Sequence, residues 1–168
     1  MKIIELLNED RLHLSFEVFP PKTDTAFESV KTATEEIAKL NPSFMSVTYG
    51  AGGGTSQYTL DIAKNIKRLH GVPTLAHLTC VSSDRATIRK TLDELRQGGI
   101  ENILALRGDI PKDAPPSDGW AYRYASELVR EIRDYGGFCI GGACYPEGHV
   151  ESASMNEDLL HIKQKVDM

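Results

Sequence analysis

A repeating unit constrains the fold of this chain more than any other feature of its sequence. Short apolar runs begin at Leu12, Phe44, Thr74, Asn102 and Gly137, and each is typical of a β-strand. The segments between them have apolar residues every three or four positions, which predicts amphipathic helices. Strands that alternate with helices about every 30 residues pair in parallel through right-handed crossovers. The pattern therefore predicts an α/β protein, either a doubly wound sheet or a (β/α) barrel.

The predicted helices also carry boundary signals. Their periodic apolar residues are Phe27, Val30, Ile37, Leu40, Ile62, Ile66, Leu69, Ile88, Leu92, Leu95, Leu128, Val129 and Ile132. The candidate N-caps are Asp24, Ser56, Asp84 and Asn156, and the glycines placed to end helices are Gly71, Gly98 and Gly136. These signals agree with a unit of strand, loop, helix and turn.

The two faces of the predicted strands differ in chemistry. One parity is small or polar: Ser15, Glu17, Ser46, Thr48, His77, Thr79, Ala105, Arg107, Asp109, Gly141, Ala143 and Tyr145. The other parity suits a face under helices: Phe16, Val18, Met45, Val47, Ala76, Leu78, Leu104, Leu106, Ile140 and Gly142. Central strands of a doubly wound sheet should be apolar on both faces, so this asymmetry favours a barrel with a polar upper lumen. Ligands bind at the C-terminal strand ends of such folds, where we expect the polar groups to share one mouth.

The length of the chain limits how much of a barrel it can form. A complete (β/α)8 barrel of the TIM type has eight units and about 250 residues. These 168 residues supply five units, and the segment from Asn156 to Met168 ends in helical periodicity without a C-cap glycine. We expect a single domain, residues 1–168, that holds the N-terminal five units of the barrel and lacks the C-terminal three.

Composition excludes several classes of protein. The net charge is −5 and no cluster of Lys and Arg is present, which argues against nucleic acid as a partner. No apolar run approaches the length of a membrane span, and the N-terminus is too charged for a secretory signal. The three cysteines, Cys80, Cys139 and Cys144, have no disulfide-scaffold spacing. We therefore predict a cytoplasmic protein with reduced thiols.

Several kinds of site are compatible with the residues alone. The glycine-rich stretch from Tyr49 to Gln57 could approach a phosphate, but it lacks the P-loop and dinucleotide spacings. A zinc site from His77, Cys80, Cys144 and His149 is disfavoured, because His77 and the two cysteines have opposite parities. No strand ends in the lysine that a Schiff-base aldolase needs. A divalent-metal lyase that uses Glu17, His77 and Asp109 remains an alternative.

Five motifs in this order and spacing resemble the bacterial type of the methylenetetrahydrofolate reductase family. They are "SFEVFPPK", "VTYGAGG", "AHLTC", "ALRGD" and "CYPEGH", and the similarity extends through "DLLHIKQKVD". The resemblance implies a (β/α)8 barrel that binds FAD, with NADH or NADPH reducing the flavin and leaving before the folate binds. It implies reduction of 5,10-methylenetetrahydrofolate to 5-methyltetrahydrofolate, in one-carbon metabolism and methionine biosynthesis.

The same resemblance implies roles for individual residues. Glu17 matches the catalytic acid that protonates the leaving folate nitrogen, and Asp109 matches the aspartate beside the flavin N1 and pyrimidine edge. Arg107 and Gly108 match positions that line FAD. The other matching FAD positions are Thr48, His77, Tyr124, Ala125, Tyr145, His149, Asp158 and Lys165. Lys165 is suited to a phosphate.

The family pattern continues past Met168 into strands six to eight. Those units carry a glutamine and an aromatic residue that position the folate or nicotinamide ring. One alternative is therefore a truncated, catalytically inactive fragment that binds FAD or a partner chain. Open sheet edges also predict a homo-oligomer, and some relatives in anaerobes are thought to need a partner subunit.

Overall fold

The strands form one parallel sheet in the order of the sequence. The computed structural model describes residues 1–21, 23–49, 56–110 and 120–168. The strands are β1 (Ser15–Val18), β2 (Phe44–Val47), β3 (Thr74–Thr79), β4 (Asn102–Leu106) and β5 (Cys139–Gly142). Each strand pairs in parallel with the next. All five predicted strands are confirmed, as is the α/β fold class of an incomplete TIM-type barrel.

In the part of the chain that the structure describes, four α-helices connect successive strands, one short helix precedes the first strand and one helix follows the last. They are α1 (Ile3–Leu7), α2 (Phe27–Ala38), α3 (Ser56–His70), α4 (Arg85–Gln97), α5 (Ala125–Tyr135) and α6 (Met155–Val166). The sequence pattern did not predict α1, a short helix that precedes the first strand. Within the described residues, no helix is both long enough and apolar enough to cross a membrane.

The main core lies between the sheet and these helices. Register places Val47, Ala76 and Ile103 side by side in neighbouring strands, and all three are buried. They pack with buried helix residues that include Ile66 and Leu92. Full burial of such a side chain stabilises the fold by about 1.5–3 kcal/mol. This layer holds the strands so that their C-terminal ends lie together.

Strand β4 presents the opposite face from the one predicted. Register pairs His77 with Leu104 and Leu78 with Ala105, and neighbours in a parallel sheet point to the same side. A Cβ on Gly141 would lie 3.2 Å from the Leu104 Cδ1 atom, which also places Leu104 on the inner face. The inner face of β4 therefore carries Leu104 after Asn102 at its start, and Ala105 belongs to the helix-covered layer. Arg107 and Asp109 lie beyond the strand, so strand parity does not orient them.

Helix boundaries follow the predicted signals in part. Asp84 caps α4, since its carboxylate accepts the backbone N–H of Thr87 at 2.7 Å. Asn156 does not cap α6, because Ser154 accepts the N–H of Glu157 at 3.2 Å and the helix has begun by Met155.

The remaining predicted boundaries are the N-terminal ends of α2 and α3 and the glycines that end three helices. Asp24 does not cap α2, which follows a short 3-10 turn (Asp24–Ala26). Ser56 is the first residue of α3. Gly71, Gly98 and Gly136 directly follow the ends of α3, α4 and α5, as predicted.

Candidate functional site

A cavity of about 1200 Å³ opens at the C-terminal ends of the strands. Its walls come from the ends of β2 to β5, from the start of α5 and from α6. The predicted site residues among its lining are Thr48, His77, Arg107, Gly108, Asp109, Tyr124, Ala125, Tyr145, His149, Asp158 and Lys165. The fold thus brings together residues that are more than 100 positions apart in sequence.

Glu17 is not among the residues that line this cavity; it lies on the inner face of β1 and contacts Ser46 of β2 and His77 of β3. Its Oε2 atom is 3.5 Å from Nε2 of His77 and accepts a hydrogen bond from the Ser46 hydroxyl at 3.3 Å. The Glu17 side chain is 45% exposed, whereas that of His77 is 10% exposed. Burial lowers the pKa of His77, and the charge of Glu17 opposes that shift. The pair therefore combines an accessible carboxyl group with a largely buried imidazole.

Arg107 follows β4 and is held in place by an ion pair. Its two terminal nitrogens donate to the two carboxylate oxygens of Glu151 at 2.6 and 2.7 Å. Its Nε–H donates to the carbonyl oxygen of Gly108 at 3.3 Å. Asp109 is exposed at the rim of the same cavity. Opposite charges therefore meet at this strand end, with Glu151 as the partner of Arg107.

The backbone between Arg107 and Asp109 requires a glycine. Gly108 has φ +86°, a conformation that L side chains rarely adopt. A Cβ at this position would lie 2.9 Å from Val81 Cγ1 and 3.0 Å from Thr79 Cβ. The chain turns here against the end of β3, and the turn places Asp109 at the cavity rim.

The segment between β5 and α6 forms another wall. The buried carboxylate of Asp158 accepts the backbone N–H of His149 at 3.1 Å and the Ser152 hydroxyl at 3.2 Å. The ring of His149 meets that of Tyr145 edge to face, with centroids 4.9 Å apart. Asp158 therefore fixes the loop that carries His149.

Lys165 extends from α6 across the end of β5. Its Nζ donates to the carbonyl oxygen of Ala143 at 2.8 Å, and within the described part of the chain its two further N–H bonds are available to a ligand. The Lys165 side chain passes beside Gly142, where an added Cβ would lie 3.0 Å from its Cδ atom. The amine is therefore a cation fixed at the cavity wall.

Cys80 contacts two parts of the site, the segment after β4 and the residue before α5. It is fully buried, and its thiol lies 3.9 Å from the carbonyl oxygens of Arg107 and Tyr124. Burial raises the pKa of Cys80 to about 12, which keeps the thiol protonated. This geometry suits a structural thiol that joins the end of β4 to the start of α5.

Several residues of the cavity were absent from the predicted site, among them Glu151 and His161. Glu151 has no recognisable motif and is identified by its contact with Arg107. His161 lies three residues after Asp158 and four before Lys165, a spacing that puts all three on one face of α6. That spacing is a signal from which His161 could have been predicted.

Two other predictions concern the glycine-rich loop and metal ligands. Residues 50–55 of that loop lie outside the described residues. Within residues 1–21, 23–49, 56–110 and 120–168, no group of three or more His, Cys, Asp or Glu side chains is arranged to hold a metal ion.

Known proteins with similar sequences agree on one family. A reductase described as 5,10-methylenetetrahydrofolate reductase from Pectobacterium carotovorum subsp. carotovorum is 38% identical over 159 residues, covering 95% of this chain and 52% of that protein. Methylenetetrahydrofolate reductase 2 from Schizosaccharomyces pombe is 42% identical over 163 residues, covering 90% of this chain and 25% of that protein. The chain thus spans about half the length of the bacterial relative.

A solved structure shows likeness at the level of the fold. The crystal structure of a mandelate racemase/muconate lactonizing family protein from Azoarcus sp. EbN1 superimposes with a TM-score of 0.53. The superposition covers 98% of this chain and 38% of that one. Sequence identity is 15%, so the likeness shows the fold alone. Family membership follows from sequence, since residues 2–168 match the profile described as Methylenetetrahydrofolate reductase. The chain belongs to the methylenetetrahydrofolate reductase family.

Proposed function

We propose that the protein reduces 5,10-methylenetetrahydrofolate to 5-methyltetrahydrofolate, with NADH or NADPH as electron donor and FAD as bound cofactor. Family membership supports folate reduction, and the two relatives described above are named for that reaction. The observation that carries the proposal is that the eleven positions to which the resemblance gives a role in FAD binding line one cavity. Because the chain spans about half of its bacterial relative, the activity is proposed for the whole protein.

The residues of the cavity fit a flavin nucleotide. A volume of about 1200 Å³ suits a large ligand, and Gly108 keeps side-chain atoms away from the backbone at the end of β4. Lys165 offers a fixed cation for phosphate, and Arg107 offers N–H donors for carbonyl or anionic groups. Tyr124 and Tyr145 supply exposed rings at the rim. These are the residues that we assign to holding FAD.

FAD, when bound, would carry two electrons from the nicotinamide donor to the folate. In this scheme Glu17 supplies the proton that the leaving folate nitrogen takes up. Its carboxyl group is accessible from the inner face, while the Ser46 hydroxyl and His77 hold it from two sides. General acid catalysis of this kind requires a positioned proton donor within hydrogen-bond reach. Asp109 places a negative charge at the rim, which favours a cationic folate intermediate.

Because one cavity would serve both substrates, we propose that they bind and react in a ping-pong order. The nicotinamide donor and the folate would occupy the same mouth in turn. We further propose that the protein acts in the cytoplasm, as its three free thiols suggest, and functions as a homo-oligomer or with a partner subunit.

The role of Glu17 is tested by separating the two half-reactions. In the Glu17→Gln variant we expect flavin reduction by NADH or NADPH to proceed, because no proton from Glu17 is needed there. Reoxidation of the reduced flavin by methylenetetrahydrofolate should fall at least about 100-fold, the range of a lost general acid. Stopped-flow absorbance of the flavin band measures both rates.

A control variant and three contrary outcomes complete the test of Glu17. Glu28→Gln, which changes an exposed glutamate of α2, should leave both rates unchanged. Equal loss of both half-reactions in Glu17→Gln would contradict the assigned role. Turnover that needs a divalent metal and no FAD would instead support the metal-lyase alternative, and FAD binding without either half-reaction would support the inactive fragment.

A further inference from the structure

We propose that Glu151 is a positioning residue of the flavin site, which acts by clamping Arg107 and compensating its charge. The proposal rests on the proposed function, since it assumes that the cavity receives FAD. It adds a residue that lies outside the five family motifs. It also specifies how Arg107 would meet the cofactor.

The contact between Glu151 and Arg107 has the geometry of a strong ion pair. Each carboxylate oxygen accepts from one terminal nitrogen of the guanidinium, at 2.6 and 2.7 Å. Bidentate pairs of this kind fix orientation as well as distance. The Arg107 side chain is 20% exposed and that of Glu151 is 52% exposed, so the contact is partly shielded from water. The pair raises the pKa of Arg107 and lowers the pKa of Glu151.

The clamp determines what Arg107 can offer to a ligand. A guanidinium has five N–H donors. Glu151 takes one from each terminal nitrogen, and the Gly108 carbonyl takes the one on Nε. Among the described residues, no partner takes the other two N–H donors, which keep fixed directions on a group whose charge is balanced by the carboxylate. Arg107 would therefore bind a cofactor carbonyl or oxygen by directed hydrogen bonds, while Lys165 remains available to a phosphate.

The backbone of Glu151 holds a second cavity residue. Its N–H donates to Nδ1 of His149 at 3.2 Å. A neutral imidazole that accepts at Nδ1 carries its proton on Nε2, so this bond also selects the tautomer of His149. The side chain of Glu151 thus connects the segment before α6 with the end of β4, while its backbone holds His149.

Titration with FAD tests the clamp directly. In Glu151→Gln the carboxylate is lost, and we expect the Kd for FAD to rise about tenfold, a coupling usual for residues within one ion-pair network. Because Arg107 then keeps an uncompensated charge, the Kd should also depend more steeply on salt. Flavin fluorescence and isothermal titration calorimetry measure both quantities without turnover.

A double-substitution cycle separates positioning from a structural effect. If Glu151 acts through Arg107, then Glu151→Gln should add nothing when Arg107→Met is already present, in Kd or in salt dependence. Glu147→Gln changes an exposed glutamate of the same segment and should leave the Kd unchanged. Full additivity in the cycle would overturn the proposal, as would tighter FAD binding by Glu151→Gln.

The cofactor-free chain provides an independent readout. Nitrogen-15 NMR should show protected terminal N–H signals of the Arg107 guanidinium that are lost in Glu151→Gln, while the backbone spectrum remains that of a folded protein. A wild-type chain that binds no FAD would overturn both the cofactor assignment and this inference. A wild-type chain that binds FAD with the same Kd as Glu151→Gln would overturn the inference alone.

Discussion

At the scale of single residues, Gly108 is required by both its conformation and its neighbours. Its φ of +86° would strain any L side chain, and Val81 and Thr79 occupy the space that a Cβ would need. We expect Gly108→Ala to lower the free energy of unfolding by about 1–3 kcal/mol for the strained backbone. Overpacking should add about 1–3 kcal/mol. Urea unfolding measures the sum.

A second glycine separates these two costs. Gly99 has φ +74° with no atom within 4 Å of an added Cβ, so Gly99→Ala carries the conformational cost alone. We therefore expect Gly108→Ala to be the more destabilising of the two. Equal destabilisation would mean that the contacts with Val81 and Thr79 relax without cost.

His77 should titrate below its ordinary range. Burial lowers its pKa from 6.5, and the carboxylate of Glu17 partly offsets this shift. We expect NMR titration of the His77 ring to give a midpoint below 6.5, and Glu17→Gln to lower it further because the offsetting charge is removed. A midpoint that rises in Glu17→Gln would contradict the contact between the two side chains.

The same shift sets a pH dependence of stability. Because the folded-state pKa of His77 is depressed, the unfolded chain binds the proton more readily than the folded chain. The contribution of neutral His77 to the free energy of unfolding is therefore complete above pH 6.5, and it is lost as the pH falls through the folded-state pKa of His77. In His77→Gln that part of the pH dependence should disappear from urea-unfolding curves, and an unchanged slope would refute the assignment.

At the scale of elements, the start of α6 depends on Ser154. Its hydroxyl accepts the N–H of Glu157, and the Glu157 carboxylate accepts the N–H of Ala153 at 3.2 Å. We expect Ser154→Ala to cost about 1 kcal/mol of stability, the usual value for a lost N-cap. Since α6 carries Asp158 and Lys165, FAD binding should weaken as well. Thermal unfolding and FAD titration measure the two effects.

Asn156 provides the matched control for this cap. It is exposed and lies inside α6, two residues after Ser154. Asn156→Ala should therefore change stability by less than about 0.5 kcal/mol. A larger loss in Asn156→Ala than in Ser154→Ala would show that the helix starts later than the structure indicates.

These elements show which parts of the fold the sequence could predict. The length of each apolar run and the helical spacing of apolar residues on either side were sufficient to predict every strand. A short apolar run between two helical segments has few other interpretations. The faces of β4 could not be assigned, since Ile103, Leu104, Ala105 and Leu106 are apolar on both sides and only register distinguishes them. The cap of α6 was predictable in principle, because Ser154 and Glu157 have the spacing of a capping box.

The candidate site also contains some residues whose positions the sequence could predict and others whose contacts it could not. Side chains at strand ends, such as Glu17 and His77, could be placed from parity and topology. The partner of Arg107 could not, because Glu151 lies 44 positions away in a segment without regular structure. Contacts between loops depend on the packed arrangement of several units, and no local pattern encodes them.

At the scale of the whole molecule, the described sheet has two edge strands, and the described residues include exposed apolar side chains. β1 and β5 each pair with one neighbour in this sheet. Exposed apolar side chains lie next to β1 in sequence, at Leu12, Leu14 and Phe19, and on α6, at Met155, Leu159 and Leu160. Unpaired strands and apolar patches favour contact with another protein surface.

We therefore expect the 168-residue chain to self-associate as its concentration rises, and sedimentation velocity measures the weight-average mass. The combined substitution Leu159→Lys and Leu160→Lys should reduce association, because charge on an apolar surface opposes its burial. Leu69→Lys, at an exposed position near the end of α3, should leave association unchanged. A chain that stays monomeric at every concentration would contradict the prediction, and equal effects of the α6 and α3 substitutions would attribute association to net charge rather than to the face of α6.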